Sequence, residues 1–191
     1  MHELIFTSSP AGLNGGRGFC TVAATQGISK TLSKTLEGLS AYDHLHPPGT
    51  PAASNNPVNY SHQSFKHGGK NIHVLSATRD AGLDYTQRSN KLSHHVAITK
   101  TNGLLAGPAA ILSAFPFETE WPSTRPAESR NKPPSIQKHA GNLPEFKGSW
   151  KELVGDAGYA GMIAEAIVTG SKRRICIAYS VDQHRSILNL M

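Results

Sequence analysis

The sequence predicts an α+β domain in which three to four helices cover a mixed, mostly antiparallel sheet, with long proline-rich loops between the elements. Short apolar runs rich in β-branched residues and bounded by turn residues are typical of strands. Longer segments carry apolar residues at spacings of three and four, which is typical of amphipathic helices. The 12 prolines and 18 glycines among 191 residues imply extensive loops, and this length suits one domain.

Two hairpins are predicted in the first half of the chain. Residues 4–7 and 19–24 are apolar runs on either side of a glycine-rich turn, so we expect them to pair across a wide loop. Residues 60–66 and 71–77 flank Gly68-Gly69, a pair of residues that favours a tight turn between two strands. Together these four runs predict most of the antiparallel sheet.

Three helices are predicted to cover this sheet, at residues 29–45, 108–115 and 156–169. Apolar residues recur at helical spacing through the first of them until Pro47-Pro48-Gly49 stops it. Pro108 suits the first turn of the second helix, where its missing N–H is not needed. The third helix is followed by a predicted strand, so a weak βαβ pattern is confined to the end of the chain.

The chain reads as one N-terminal module, residues 1–191, within which residues 116–147 form a proline-rich loop excursion. Residues 148–191 are predicted to form a helix-strand-helix segment packed on the same sheet. The last predicted helix stops in the middle of its apolar face. We therefore expect the module to be cut from a longer protein, because the final apolar residues would need a partner: Ile187, Leu188, Leu190 and Met191.

Composition excludes several classes of protein. The formal net charge is +6, but the basic residues are scattered and the aromatic residues, 7% of the chain, do not interleave with them, so nucleic-acid binding is not expected. The apolar runs are too short to cross a bilayer, and no secretory signal opens the chain. Cys20 and Cys176 both fall in predicted strands and indicate buried free thiols. These features predict a cytoplasmic protein with no membrane partner.

One polar stretch is the candidate site, because it packs titratable and hydrogen-bonding side chains just before the apolar strand at residues 96–98. We expect this stretch to lie at the mouth of that strand. It is interpreted as a binding or structural polar cluster, and both alternatives stay open from the residues alone. Its members are Asp84, Tyr85, Arg88, Asn90, His94 and His95.

The side chains of this cluster suggest particular roles if it is a site. Arg88 could clamp a phosphate or carboxylate with its planar fork, and His94 or His95 could act as a general base near neutral pH. Alternation along a strand sends the two histidines to opposite faces, so at most one of them lines a given pocket. A nucleophile tied to these residues is missing, and catalytic residues stay unassigned.

No cofactor is expected, and neither a metal site nor a phosphate-binding glycine loop is predicted. His62, His67 and His73 fall on or beside one predicted hairpin, but cysteine and carboxylate ligands at metal-site spacing are missing there. The histidines at 44 and 46 suit a helix end. The glycines at 12–18 lack a following Gly-Lys-Ser/Thr and precede a strand, so they indicate a turn and not a phosphate loop.

Several stretches taken together resemble a known family. They are Leu4-Ile5-Phe6-Thr7-Ser8-Ser9 with Gly18-Phe19-Cys20-Thr21-Val22, Asp84-Tyr85-Thr86-Gln87-Arg88-Ser89-Asn90 with Ser93-His94-His95, Ala106-Gly107-Pro108-Ala109, and Gly155-Asp156-Ala157-Gly158-Tyr159-Ala160-Gly161. The chain resembles the N-terminal domain, type two, of the bacterial GTPase-associated proteins, over nearly all its length apart from the proline-rich loop. That resemblance implies a multidomain cytoplasmic protein encoded beside small GTPases and other signalling or defence components.

The resemblance implies a setting and not a reaction. It carries Arg88, Asn90 and His94 or His95 as a polar signature and assigns them no role. The predicted function is an interaction or regulatory module, without an established catalytic activity, in a GTPase-associated signalling or defence system. Its expected partners are a GTPase or associated components, and further C-terminal domains of the same chain. The alternative is a small-ligand-binding or enzymatic domain with a site around Arg88, Asn90 and His94 or His95.

Overall fold

The computed structural model describes residues 1–99 and 107–136, together with the isolated positions 161, 162, 165, 168 and 169. Within the two continuous ranges the chain forms strands, two short α-helices and one 3₁₀ helix at Pro51–Asn55. The strands are β1 (His2–Ser9), β2 (Gly18–Thr25), β3 (Asn59–His67), β4 (Lys70–Leu83), β5 (Ser89–Ile98) and β6 (Glu128–Arg130). The α-helices are α1 (Lys30–Gly38) and α2 (Pro108–Ala114).

All of these strands belong to one mixed sheet, in the order β3-β4-β5-β1-β2-β6. Neighbouring strands are antiparallel except β2 and β6, which are parallel. Within the described residues, β3 and β6 are therefore the edge strands, while β1 and β5 pair with each other in the middle of the sheet. The chain thus brings its first strand against residues that follow about ninety positions later.

Both predicted hairpins are confirmed. β1 and β2 pair from Leu4 opposite Ala24 to Ser9 opposite Gly18, across the wide glycine-rich loop. β3 and β4 are joined by Gly68 and Gly69, whose φ angles are +56° and +75°. Two successive positive φ angles define a type I′ turn, whose twist matches that of the flanking strands and which glycine adopts without steric cost.

β5 is much longer than the predicted strand at residues 96–98, and it begins at Ser89. The prediction that the whole stretch 85–95 lies at the mouth of a strand is therefore wrong for its second half. The strand was underestimated because Asn90, His94 and His95 look like surface residues in the sequence but are all buried here. Hydrogen-bond partners on neighbouring elements make that burial possible.

The prediction of a sheet covered by three to four helices is wrong. The described residues form mostly a six-stranded sheet with only two short helices, nine and seven residues long. α2 begins at Pro108 as predicted. α1 ends at Gly38, well before the predicted residue 45. The third predicted helix, 156–169, falls on residues of which the structure describes only isolated positions.

α1 ends early because the residues that follow it have better partners elsewhere. Gly38 has low helix propensity, and the Leu39 N–H already bonds the carbonyl oxygens of Leu36 and Glu37. The Ser40 hydroxyl lies 2.8 Å from His95 Nε2. Tyr42 is buried at helical spacing, but its hydroxyl reaches the carbonyl of Pro57 in a loop. Apolar spacing alone therefore overestimated this helix.

The two faces of the sheet carry separate parts of the core. On one face, Leu32 and Leu36 of α1 pack against a cluster that includes Leu4, Val74 and Ala97. On the other face, α2 and the chain after it cover β4 and β5, through a second cluster: Leu75, Ala77, Val96, Ile98, Ile111, Leu112, Phe115, Phe117 and Ile136. Burial on both sides explains why central strands can hold polar side chains only when these are fully hydrogen-bonded.

The described part of the proline-rich segment, residues 116–136, packs on the sheet. Phe117, Trp121 and Ile136 are buried, and β6 pairs with β2. The division of the chain at 116–147 and 148–191 stays a prediction, since most of the latter range lies outside the described residues. No helix within the described part of the chain is long and apolar enough to cross a membrane.

Candidate functional site

The structure distributes the predicted site residues over three environments. Asp84, Tyr85, Arg88 and Asn90 lie at the turn between β4 and β5 and at the start of β5. His94 faces the side of the sheet covered by α2, with its ring against Phe115 and Phe117 at centroid distances of 5.7 and 5.3 Å. His95 faces the α1 side, where it meets Ser40. The alternation expected for adjacent strand residues therefore separates the two histidines.

Asp84 is buried at the β4–β5 turn and organises it. Its Oδ1 accepts hydrogen bonds from the Thr86 N–H at 2.7 Å, the Thr86 hydroxyl at 2.6 Å and the Arg88 N–H at 3.0 Å. Its Oδ2 accepts the Ser8 hydroxyl at 2.8 Å. The Thr86 hydroxyl first, and the other donors with it, hold the pKa of Asp84 well below its usual range despite burial. The carboxylate is thus ionised and fully engaged inside the protein.

Arg88 and Tyr85 point outward from the same turn. The Arg88 side chain is 69% exposed, and its Nη2 lies 3.7 Å from Asp84 Oδ2. Its Nε donates to the Thr86 hydroxyl at 2.8 Å. Tyr85 is 40% exposed. Between them Gln87 adopts a φ of +63°, which a tight turn requires. Arg88 therefore presents a surface guanidinium held by the turn.

Asn90 ties β5 to β1. Its Oδ1 accepts the Ser8 N–H at 3.0 Å, the Lys91 N–H at 2.8 Å and the Thr7 hydroxyl at 3.2 Å. Its backbone carbonyl lies 3.1 Å from His44 Nε2. One side-chain oxygen thus satisfies three donors at the point where the two strands meet.

An open pocket of about 500 Å³ lies beside this turn. Three of the predicted site residues line it, namely Asp84, Tyr85 and Asn90, whereas Arg88, His94 and His95 do not. The opposite wall comes from the chain after α2, which sequence reasoning did not connect with this site. Those wall residues are Thr119, Glu120, Trp121, Pro122 and Ser123.

His95 is completely buried between two serine hydroxyls. Its Nε2 lies 2.8 Å from Ser40 Oγ and its Nδ1 lies 2.7 Å from Ser76 Oγ. Burial first, and the neighbouring His94 second, lower the pKa of His95 to about 3. The ring is therefore neutral, and it donates to one serine and accepts from the other. Both nitrogens are occupied by the domain's own groups, which link the segment just after α1 to the centre of the sheet.

His94 belongs to a partly buried polar and ionic network that the sequence did not reveal. Its Nδ1 accepts the Glu118 N–H at 2.9 Å, so the proton of a neutral ring is on Nε2. That Nε2 lies 2.7 Å from Glu3 Oε1, in a direction off the ideal N–H axis. Arg130 Nη1 contacts the same carboxylate oxygen at 2.7 Å.

The network continues outward from Glu3. Arg130 also contacts Glu118 and Glu128, each at 2.8 Å. Burial lowers the pKa of Arg130, but Glu3 first, and then Glu118 and Glu128, raise it by more. Burial raises the pKa of Glu3, but the His94 and Arg130 contacts outweigh it and the net change is downward. Arg125 stacks its guanidinium 3.7 Å from the ring centre of Trp121. Glu3, a charged residue beside the apolar run of β1, was the one feature of the sequence that could have indicated this network.

A family model described as "GTPase-associated protein 1, N-terminal domain type 2" matches residues 1–137. The chain belongs to this family. The match confirms the resemblance found in the sequence, and it contains every strand and both α-helices described above. The stretch at 155–161 that also suggested the GTPase-associated family lies beyond the matched residues. No curated protein and no solved structure matches the chain.

Proposed function

We propose that this GTPase-associated N-terminal domain is a protein-interaction module, and that it binds an extended, acidic segment of a GTPase or of a GTPase-regulating protein along the outer edge of β3. The observation that carries the proposal is the edge strand itself. β3 is nine residues long and pairs with β4 on one side, whereas the other edge strand, β6, has three residues. The second side of β3 meets no other strand within residues 1–99 and 107–136.

The turn geometry identifies the backbone groups that such a partner would meet. His67 pairs with Lys70 across the two-residue turn, and the closing pair of such a hairpin is hydrogen-bonded. Hydrogen-bonded and non-hydrogen-bonded pairs then alternate along the ladder. The N–H and C=O groups of Lys66, Ser64 and His62 therefore point away from β4. An added strand gains its affinity from such main-chain hydrogen bonds.

Charge supports an acidic partner. Residues 44–79 contain no Asp or Glu, while this stretch includes Lys66, Lys70 and Arg79. The part of the hairpin in which β3 pairs with β4, up to Thr78, therefore presents basic and neutral side chains to a partner of β3. Opposite charges on neighbouring strands favour pairing, and complementary charge accelerates encounter.

The hydrogen bonds of the predicted polar cluster favour a structural role for it within this module. The Asp84 carboxylate, the Asn90 Oδ1 and both His95 nitrogens already bond groups of this domain, as described above, so these atoms have little capacity left for a ligand. This weighs against the alternative of a ligand site built on the histidines. The pocket beside Tyr85 is lined by Asp84 and Asn90, whose side-chain oxygens are already hydrogen-bonded within the domain, so the proposal does not rest on this pocket.

A pull-down with edge-strand variants tests the proposal. The 191-residue chain is immobilised and exposed to native cell extract with excess GTP or with excess GDP. Ser64→Pro removes one outward N–H and leaves the β3–β4 ladder intact. Lys66→Glu reverses charge on the same edge, and Lys34→Glu on α1 is the matched control for net charge. Circular dichroism establishes that each variant is folded.

We expect the wild type and Lys34→Glu to capture a GTPase or its regulator in one nucleotide state. Ser64→Pro should lose that protein, and Lys66→Glu should weaken its capture. A captured protein supports the proposal only if Ser64→Pro loses it and Lys66→Glu binds it more weakly than the wild type does. Equal capture by folded Ser64→Pro, or no GTPase-related protein in either nucleotide state, would overturn it.

A further inference from the structure

A pair of imidazole rings lies on the β3–β4 hairpin, outside the three environments of the predicted site. His62 Nε2 is 3.1 Å from His73 Nδ1. The two ring planes differ by 9° and the ring centroids are 5.4 Å apart. His62 stands opposite Leu75, and His73 is two residues from Leu75, so both side chains project from the same face of the hairpin. Rings so arranged share one proton between two facing nitrogens.

We infer that His62 and His73 form a two-histidine site for a divalent transition-metal ion, with Zn²⁺ and Cu²⁺ as the ions that fit best. Imidazole nitrogens bind Zn²⁺ at about 2.0–2.1 Å, so two of them at a tetrahedral angle stand about 3.3 Å apart. The observed separation of 3.1 Å is close to that spacing. Rotation of both rings turns the two lone pairs toward one point, and His62 has room to rotate because it is exposed.

Metal binding requires that each facing nitrogen presents a lone pair. The proton shared between His62 Nε2 and His73 Nδ1 moves to the other nitrogen of its own ring, and two nitrogen–metal bonds replace two metal–water bonds.

The hairpin holds the two ligands at fixed backbone positions. Nine cross-strand pairs, from Asn59 opposite Thr78 to His67 opposite Lys70, set the register of β3 against β4. Only side-chain rotation is therefore needed to close the chelate, which reduces the entropy that binding costs. A bound ion would join β3 to β4 and stabilise the edge strand.

The site has two protein ligands and keeps open positions. Within the described residues, no group of three or more His, Cys, Asp or Glu side chains is placed to hold a metal ion. Water completes the coordination, so the ion exchanges readily. Affinity should follow the order expected for nitrogen ligands, with Cu²⁺ bound more tightly than Zn²⁺, and Mg²⁺ and Ca²⁺ should not compete because they require oxygen ligands.

Calorimetric titration of the 191-residue protein with ZnCl₂ and CuSO₄ tests this site. His62→Ala and His73→Ala each remove one ligand. His67→Ala is the matched control, because His67 lies on the same strand but faces Ser29 and Thr31 through its Nε2. Either ligand variant should bind Zn²⁺ about tenfold or more weakly, and the control should bind like the wild type.

A second measurement does not depend on variants. In the ¹⁵N-labelled wild type, substoichiometric Cu²⁺ should broaden the imidazole signals of His62 and His73 before those of the other histidines. The inference is overturned if His62→Ala binds Zn²⁺ as tightly as the wild type, if His67→Ala weakens binding equally, or if Cu²⁺ leaves the His62 and His73 signals sharp.

Discussion

Arg130 and His94 contact the same oxygen of Glu3, each at 2.7 Å. Glu3 lies on β1 and His94 on β5, in the middle of the sheet, whereas Arg130 ends the edge strand β6. The carboxylate of Glu3 therefore joins the centre of the sheet to the short edge strand β6, because it contacts both the His94 ring and the Arg130 guanidinium. β6 pairs with β2 over only three residues, so this contact is a large part of what holds the edge in place.

Replacing Glu3 by Gln should destabilise the domain by about 2–3 kcal/mol, because the half-buried Arg130 guanidinium then loses its buried charged partner. The loss is limited by Glu118 and Glu128, which still contact Arg130. Urea unfolding followed by circular dichroism measures the change. Glu120→Gln is the control, because Glu120 is an exposed carboxylate on the segment that carries Glu118 and Glu128. This variant should change the free energy of unfolding by less than about 0.5 kcal/mol. Similar values for the two variants would contradict the structural role of the network.

His95→Ala should lower the free energy of unfolding by about 2–4 kcal/mol, because it leaves a cavity and two buried serine hydroxyls without their partner. Arg88→Ala is the comparison within the same polar cluster. Its side chain is 69% exposed, so the expected loss is about 0.5 kcal/mol or less. Thermal melting of both proteins measures the difference. A stable His95→Ala protein that loses a binding activity would instead indicate a ligand site at this histidine.

The pH dependence of stability should report on His95. Its pKa is about 3 in the folded protein, against about 6.5 in an unfolded chain. Between these values the unfolded chain binds a proton that the folded protein excludes, so stability falls as the pH drops below about 6.5. Urea unfolding of the wild type and of His95→Gln, from neutral pH to about pH 4.5, measures the effect. The wild type should lose more stability over this range than the variant does.

An NMR titration provides the direct check on that histidine. The His95 imidazole signals should stay unchanged down to about pH 4.5, because the ring remains neutral there. A midpoint near 6.5 would show that the ring is accessible to protons and would remove the basis of the pH prediction.

Asn90→Ala should cost about 1–3 kcal/mol, because it leaves the Ser8 and Lys91 N–H groups and the Thr7 hydroxyl without their common acceptor. Ser89→Ala, at the exposed neighbouring position, is the control and should have little effect. Hydrogen exchange locates the change. We expect faster exchange at Ser8, where β1 meets β5, and an Asn90→Ala protein with wild-type protection at Ser8 would refute the role assigned to this side chain.

The elements that could be predicted from the sequence are those fixed by local chemistry. Gly68 and Gly69 demand a tight turn, and Pro108 marks a helix start, so the second hairpin and α2 were correctly predicted. The length of α1 was wrong because Tyr42 has helical spacing but packs against a loop. The extent of β5 was missed because burial of Asn90 and His95 depends on acceptors and donors from other strands.

The candidate site was predictable only in part, for the same reason. Asp84, Tyr85 and Asn90 do gather beside one pocket, as their closeness in the chain suggests. The partners of His94 lie at positions 3 and 118, and nothing local in the sequence connects them. Long-range ionic contacts of this kind follow from topology, and periodicity carries no information about them.

The central position of β1 governs the order in which this chain can assemble during synthesis. β1 is translated well before β5, which it needs as its second neighbour, and Glu3 needs Arg130, which is made 127 residues later. The β3–β4 hairpin can close as soon as it emerges, whereas the middle of the sheet must wait for distant residues. Such non-local pairing makes folding slow and leaves the apolar face of β1 exposed meanwhile. While it is being translated, this domain should therefore depend on chaperones until β6 has been made.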